Sequence, residues 1–465
     1  MSHPCTPVHQ PAIYILFYKK QYILCNMNSA THRVGIIGFG KEGRSLFNYL
    51  KKSKKYKNSD FWILDKNPKI EIPKNTNSQT GKSYLKNLDK FDTLFRSPGA
   101  HFLLKEIQHA KKKGVKIESA TKLFFEEIPK KKIIGVTGSK GKGTTATLIH
   151  KMLKASGKKV ILAGNIGIPM TDTIQKAKNT DYIVLELSSF QLQDLNTSPH
   201  IAVILDMFPE HLDVHKNINE YLNAKTNIYS HQTKDDKTFY FKNNSLTKKI
   251  ASYGKGKKIG ITPKENNLTK NFDIASAVAE SLGVKKKTIK SVLKNFKGRP
   301  HRLEVVLVKN NITYINDSAA TNPEATSAAM RTLTENQKQE TKGKSFKSAV
   351  FSSKSLILIA GGSDKRLDYA PLSKTIQKEK SVKLVILYGE NKNKIEKSIQ
   401  ESRKKIKISK SKNLKEAFKA ANAFAKKSKE NTTILLSPAS ASFDQFKNYE
   451  DRGNQFKKLV MDLKK

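Results

Sequence analysis

The stretch Gly135–Thr145, read GVTGSKGKGTT, has the residue types and spacing of a phosphate cradle. It follows the apolar pair Ile133-Ile134 and precedes apolar positions at helical spacing, Ala146, Leu148, Ile149, Met152 and Leu153. In a strand–loop–helix unit of this kind, glycines let successive backbone N–H groups turn onto one anion. The helix N-terminus adds its partial positive charge. Gly138, Ser139, Lys140, Gly141, Lys142, Gly143, Thr144 and Thr145 are therefore candidate ATP-binding residues, with the Lys142 ammonium in reach of the terminal phosphates. Taken alone, the stretch also reads as a glycine-rich surface turn.

Two further groups point to the same place. The strand pattern Tyr182–Leu185 ends at Glu186, and a carboxylate at the tip of a strand beside a phosphate loop suits magnesium. The next strand pattern, Ala202–Leu205, runs into Pro209-Glu210-His211-Leu212-Asp213-Val214-His215. Glu186 and His211 are thus expected at one sheet edge around a cation. Upstream, Gly38-Phe39-Gly40-Lys41-Glu42-Gly43 turns from the strand pattern Val34–Ile37 into a helix (Leu46, Phe47, Leu50), and Asp65 closes the next strand, Phe61–Leu64. This GxGxxG has the form of a dinucleotide fingerprint, and a nicotinamide-dependent enzyme stays open on it. The same backbone geometry receives any pyrophosphate. A pyrophosphate-bearing substrate here, with ATP on the second loop, accounts for both motifs.

These motifs need scaffolds, and three α/β blocks supply them. The first contains the strands just named and a run at Thr93–Arg96 leading into Ser97-Pro98-Gly99. The second adds Val160–Ala163 to the phosphate-loop strand, Tyr182–Leu185 and Ala202–Leu205, a mostly parallel sheet with crossover helices. The third has strands at Leu356–Ile359, Lys383–Leu387 and Thr433–Leu436 and a helix at Leu414–Ala425. The expected fold is α/β in three domains. These are a Rossmann-like domain over 33–127, a phosphate-loop ATPase-type sheet over 128–297 and a second Rossmann-like domain over 298–465. Residues 1–32 read as a disordered leader or an over-extended start, and the polar tract 335–355 as a mobile insertion.

Composition narrows the functional class. The chain has 465 residues and a formal charge of +47, which by itself invites nucleic acid or an anionic membrane. Only nine of the 87 basic residues are arginines, and the lysines are spread through every segment, as in the runs 111–113 and 285–287. Base and phosphate readers favour arginine for its bidentate fork. No zinc-finger spacing or aromatic RNA-binding signature is present. No apolar run approaches the roughly 18 residues of a membrane span. Both cysteines, Cys5 and Cys25, fall in the leader, so the rest of the chain suits a reducing cytoplasm.

With the two loops stand AGNIG from Ala163, ELSSFQL from Glu186, PEHLDVH from Pro209, NAK from Asn223 and HRLE from His301. NDSAATN from Asn316, GGSDK from Gly361 and SPASASFDQFKNYEDRG from Ser437 complete the set. In this order, over about residues 33–465, the chain resembles the Mur ligases. The GxG turn and the last motif favour their glutamate-adding branch, whereas folylpolyglutamate synthases resemble only the later two domains.

The resemblance implies an ATP-dependent amide ligase of peptidoglycan precursor synthesis. It would add D-glutamate to UDP-N-acetylmuramoyl-L-alanine through an acyl phosphate, as a cytoplasmic monomer working on small molecules, with neither nucleic acid nor membrane as partner. It implies ATP and two magnesium ions, held by Thr144, Glu186, His211 and Lys225, the last as a carbamate. Lys142, Glu186, His211 and Lys225 would be catalytic. Asn271, Arg302 and Asp317 would complete the ATP site, the last two acting through domain closure. Gly38, Gly40, Lys41, Glu42, Asp65, Ser97, Asn165 and His211 would hold the UDP-sugar; Thr321, Lys365, Ser442 and Tyr449 would hold glutamate. The chain departs from the family pattern at Gly143, which replaces a Ser or Thr that touches magnesium. It departs also at Ala319 for a lysine, Ile274 for a second asparagine, and Tyr449 for a phenylalanine. These leave open a related ligase that uses L-glutamate or another amino acid; a basic nucleic-acid-binding NTPase is the reading from a different class.

Overall fold

The computed structural model describes residues 31–166, 168–207, 215, 217–247, 254–263, 270–296, 298–335, 354–364, 367–401 and 406–464. Nearly all of the expected leader and of the 335–355 insertion, together with His211 and Lys365, lies outside the described residues. The chain divides into two compact units, Met1–Lys294 and Asn295–Lys465.

The first unit contains two sheets. One is built from β1 (Arg33–Ile37), β2 (Asp60–Asp65), β3 (Asn77–Thr80), β4 (Thr93–Arg96) and β5 (Lys116–Ser119), in the order β3-β2-β1-β4-β5 and parallel throughout. The order reverses between β1 and β4, and such a switch point opens a crevice at the carboxyl ends of the strands. The second sheet contains β6 (Ile133–Thr137), β7 (Val160–Gly164), β8 (Tyr182–Glu186), β9 (Ile201–Ile204), β10 (Lys237–Phe241) and β11 (Lys257–Ile261). Its order is β11-β10-β9-β6-β8-β7, again all parallel. β6 therefore lies between β8 and β9. All five of its residues are buried, as a parallel strand covered on both faces requires.

The two halves of this unit meet through polar contacts. Arg96, 1% exposed, pairs with the buried Asp194 and donates to the Phe190 carbonyl at 2.8 Å. Gln191 Nε2 donates to Glu42 at 3.0 Å, and Ser45 Oγ lies 2.5 Å from both Thr171 and Asp172.

The second unit is one sheet of β12 (Glu304–Lys309), β13 (Ile312–Asn316), β14 (Ser355–Gly361), β15 (Val382–Tyr388), β16 (Ile408–Lys410) and β17 (Thr432–Leu436). Its order is β12-β13-β17-β14-β15-β16, and only β12 runs antiparallel. The helix Leu414–Lys426 packs on one face, closing a core with Tyr314, Ile434 and Phe456. Every strand named from the sequence is present. Among the described residues, seven others were not anticipated. Polar edge strands such as NSQT at β3 and ISK at β16 carry no alternation to read.

Candidate active site

β6 delivers the chain into the phosphate loop, and the helix Lys142–Ala155 leaves it. Gly141 caps that helix at φ 83°, and a Cβ there would come within 2.5 Å of the Asn271 side chain. Position 141 thus requires glycine on both counts, and the contact brings Asn271, on the helix Lys270–Ser281, against the loop. The Lys142 ammonium donates to the carbonyls of Gly138 and Ser139, each at 2.8 Å, folding over the loop it belongs to. Ser139 is held twice: its N–H donates to the Asp206 carbonyl (2.8 Å) and its hydroxyl meets Tyr221 Oη (2.8 Å). The Asp206 carboxylate pairs with Lys270.

Parallel pairing of β6 with β8 sets Val136 opposite Glu186, so the Glu186 side chain emerges beside the loop. It is 5% exposed and accepts from Asn165 Nδ2 at 3.2 Å. Lys225, on the helix Ile218–Thr226, is 2% exposed. Its Nζ lies 3.1 Å from the Gly138 carbonyl, 3.4 Å from Thr137 Oγ1 and 4.9 Å from the Tyr221 ring centroid. Lys142, Glu186 and Lys225 are thereby gathered on one loop.

The residues present suit a magnesium nucleotide. The loop leaves no room for a side chain at Gly141, Glu186 supplies a buried hard oxygen ligand, and the buried Thr145 hydroxyl has no hydrogen-bond partner among the described residues. Thr144 is half-buried beside it, and Gly143 offers no hydroxyl at all.

At the other loop, Gly38 adopts φ 85°, and a Cβ there would meet Ser97 Oγ at 2.1 Å. Asp65 is committed to the loop itself: it accepts from the Phe39 N–H at 2.6 Å and the Asn67 N–H at 2.8 Å. It holds the turn in shape. Gly40 caps the helix Lys41–Leu50, Lys41 is exposed, and burial raises the Glu42 pKa against the opposing effect of Gln191. Asn165, expected at the sugar, donates its amide to Glu186 at 3.2 Å.

In the second unit the carboxyl ends of β13 and β17 meet at Asp317. Its carboxylate accepts from Ser437 Oγ (2.7 Å) and the Leu303 N–H (3.1 Å), and burial pushes its pKa up to about 7. Arg302, exposed, opposes that shift and also acts electrostatically on Tyr449, whose ring lies edge-on to His301. Thr321 is half-buried and Ser442 buried.

The raised Asp317 pKa carries a stability consequence. The folded unit holds a proton that the unfolded chain releases near pH 4, so this group's contribution is full below pH 4 and is lost as pH rises towards about 7. Replacing Asp317 by asparagine is expected to flatten that part of the stability–pH curve. Denaturant titrations of both proteins at several pH values check it; parallel curves would refute it.

Three positioning residues were missed from sequence. Tyr221 stands four residues before Lys225 on one helix face, a spacing that could have revealed it. Asp206 stands two residues after the end of β9. Arg452, wholly buried, grips Ser318 and the carbonyls of Ser440 and Ala441. Its signals were the scarcity of arginine in this chain and its place in the SPASASFDQFKNYEDRG motif.

This combination, a phosphate loop with a buried carboxylate and lysine in one unit and a second α/β sheet carrying Asp317 and Arg452, defines an ATP-using ligase scaffold. The Mur ligase middle domain matches residues 136–310, and the Mur ligase glutamate ligase domain matches residues 301–440. The chain is 36% identical to the UDP-N-acetylmuramoylalanine–D-glutamate ligase of Acetivibrio thermocellus over 92% of its own length and 96% of that protein. It is 33% identical to the ligase of the same name from Clostridium acetobutylicum, covering 93% and 97%. Among solved structures, UDP-N-acetylmuramate-alanine ligase MurC of Thermotoga maritima shares the fold. The TM-score is 0.52 at 17% identity, covering 93% of this chain and 99% of that one. MurF of Acinetobacter baumannii does likewise, at TM-score 0.51, 15% identity and 93% coverage of each. The chain belongs to the Mur ligase family. It is an ATP-dependent ligase of three α/β domains, and none of its described helices is long and apolar enough to cross a membrane.

Proposed function

We propose that this ligase joins D-glutamate to UDP-N-acetylmuramoyl-L-alanine in the cytoplasm, as a monomer. The observation that carries the reading is the placement of Lys142, Glu186 and Lys225 around one phosphate loop, together with two full-length relatives bearing that activity in their names.

A carboxylate acylates poorly because oxide is a poor leaving group, so it must first become an acyl phosphate. A carboxylate oxygen of the bound substrate attacks the γ-phosphorus of ATP, the bond to the β-phosphate oxygen breaks, and ADP leaves. The amine of glutamate, having given up its proton, then adds to the acyl carbon, and the tetrahedral adduct expels phosphate to leave the amide. Positioning and charge neutralisation are the protein's contribution. Lys142 exchanges its contacts with the loop carbonyls for the β- and γ-phosphates. Glu186, kept in orientation by Asn165, would hold magnesium with Thr144, His211 and a carbamylated Lys225. Magnesium, when bound, offsets the charge gathering on the transferred phosphoryl group. Carbamylation joins the neutral amine of Lys225 to carbon dioxide with loss of a proton, turning a cation into an anion.

Residues 33–127 would take the UDP-sugar through Gly38, Gly40, Lys41, Glu42 and Ser97, with Asp65 holding the turn. Residues 128–297 would take ATP, with Asn271 at the nucleotide. Residues 298–465 would supply Arg302 and Asp317 to ATP, and Thr321, Lys365, Ser442 and Tyr449 to glutamate, whose two carboxylates suit a lysine and hydroxyls.

Phosphate release with UDP-N-acetylmuramoyl-L-alanine and each of D-glutamate, L-glutamate and other amino acids tests this reading. Release with D-glutamate alone is expected, and release driven instead by nucleic acid would refute it. Gly143 gives a second check. Gly143→Ser restores a hydroxyl after the loop lysine and is expected to tighten divalent-cation binding on the order of tenfold. Manganese titration by electron paramagnetic resonance, with a non-hydrolysable ATP analogue present, measures it; unchanged affinity would show that Thr144 or water already fills that position.

A further inference from the structure

A cluster unused by the ligase chemistry joins the two halves of the first unit. His101 lies on the loop after β4, His215 precedes the helix Ile218–Thr226, and Glu220 is in that helix's first turn. One ligand atom from each falls within 4.8 Å of the others. Glu220 Oε1 is 3.1 Å from His101 Nε2 and 3.1 Å from His215 Nδ1. That spacing serves a hydrogen bond, and it is also close to the edge of a tetrahedron whose ligands stand about 2.0–2.1 Å from a central zinc-like ion. Two imidazoles and one glutamate are a known zinc donor set.

The surroundings orient each donor as the outer partners of a metal site do. The His215 side chain is fully buried, and its Nε2 lies 3.0 Å from Ser189 Oγ, which leaves Nδ1 to face the cluster. Gln193 Nε2 donates to Glu220 Oε1 at 2.8 Å, and the Asn217 side chain fixes the Glu220 backbone N–H at 3.0 Å. Loading requires a proton on His101 Nδ1, gives up its 3.3 Å contact with the Leu103 N–H, and displaces the Gln193 Nε2 that lies 3.0 Å from His101 Nε2. His101 and Glu220 keep 12% and 15% exposure, enough for an ion to enter and for water to take a fourth position.

We infer that His101, His215 and Glu220 bind one transition-metal ion of the zinc class, clipping the loop after β4 to the helix that carries Lys225. Tyr221 stands between this site and Lys225, its ring 5.4 Å from His215 and 4.9 Å from Lys225 Nζ.

The test uses the full chain, stripped with chelator and free of magnesium and nucleotide. Zinc titration calorimetry and the visible spectrum with cobalt(II) are compared for wild type, His101→Ala and Glu220→Gln. Wild type is expected to take one equivalent that both variants lose, with a tetrahedral cobalt spectrum and a zinc-dependent rise in melting temperature. Metal-free melting curves establish that His101→Ala is folded. Equal zinc stoichiometry in wild type and folded His101→Ala, or an octahedral cobalt spectrum, would overturn the assignment and leave the cluster a hydrogen-bonded relay.

Discussion

Replacing Lys225 by alanine is expected to lower ligation by at least about 10²–10³-fold, the scale on which an electrostatic contact to a transferring group acts. The residue is 2% exposed, with its Nζ at 3.1 Å from the Gly138 carbonyl, so its charge bears on the place where the γ-phosphate would sit. The loss follows whether Lys225 acts as an ammonium or as a carbamate, and removal of carbon dioxide separates the two. A carbamate makes wild-type turnover fall when bicarbonate is exhaustively removed and recover when it is restored. Single-turnover formation of ADP and amide, with circular dichroism to verify folding, reads both effects. Wild-type turnover by Lys225→Ala would remove this lysine from the chemistry.

Arg452→Ala is the second large effect, and it falls on stability. The guanidinium sits wholly buried near the start of the helix Tyr449–Met461. It donates to Ser318 Oγ (2.9 Å), the Ser318 carbonyl (2.9 Å), and the carbonyls of Ser440 (3.0 Å) and Ala441 (3.2 Å). Truncation leaves four buried acceptors without this donor and opens a cavity the size of the side chain. Each unsatisfied acceptor costs about 1–3 kcal/mol before relaxation and water entry, so a loss of at least about 3 kcal/mol is expected for the second unit. Arg452→Lys keeps the charge but lacks the planar fork that reaches both segments, and is expected to recover only part of the loss. Denaturant unfolding of the two variants checks this. A midpoint for Arg452→Ala equal to wild type would show that the bracket carries no stability. Because the bracket ties the segment after Asp317 to the one containing Ser442, a rise in KM for glutamate is expected to accompany it.

The two phosphate-type loops were legible because strand, glycine turn and helix follow one another within a dozen or so residues, so local rules suffice. Glu186 was legible for a similar reason: a continuously apolar run ending in one carboxylate marks a buried parallel strand tip. Asn165 shows a contact that its motif does not announce. Its motif suggested the sugar, whereas the pairing of β7 with β8 sets Gly164 opposite Glu186 and turns the Asn165 amide onto that carboxylate. Asp65 was expected at the UDP-sugar, and the structure adds that its two oxygens accept from backbone N–H groups of the loops it shapes.

The sequence by itself determined the class of chemistry: a phosphate cradle, a pyrophosphate turn, and strand-end groups suited to magnesium. Only the tertiary structure decided which groups share a site. Lys225 reaches Gly138 from 87 positions away because β6 is threaded between β8 and β9 and the helix after β9 returns across the same edge. Arg452 reaches Ser318 from 134 positions away, and His101, on a loop of the first sheet, meets Glu220 on the helix that follows β9 of the second. Strand order and register are set by packing many apolar faces together, a sum over the whole chain that no local pattern records.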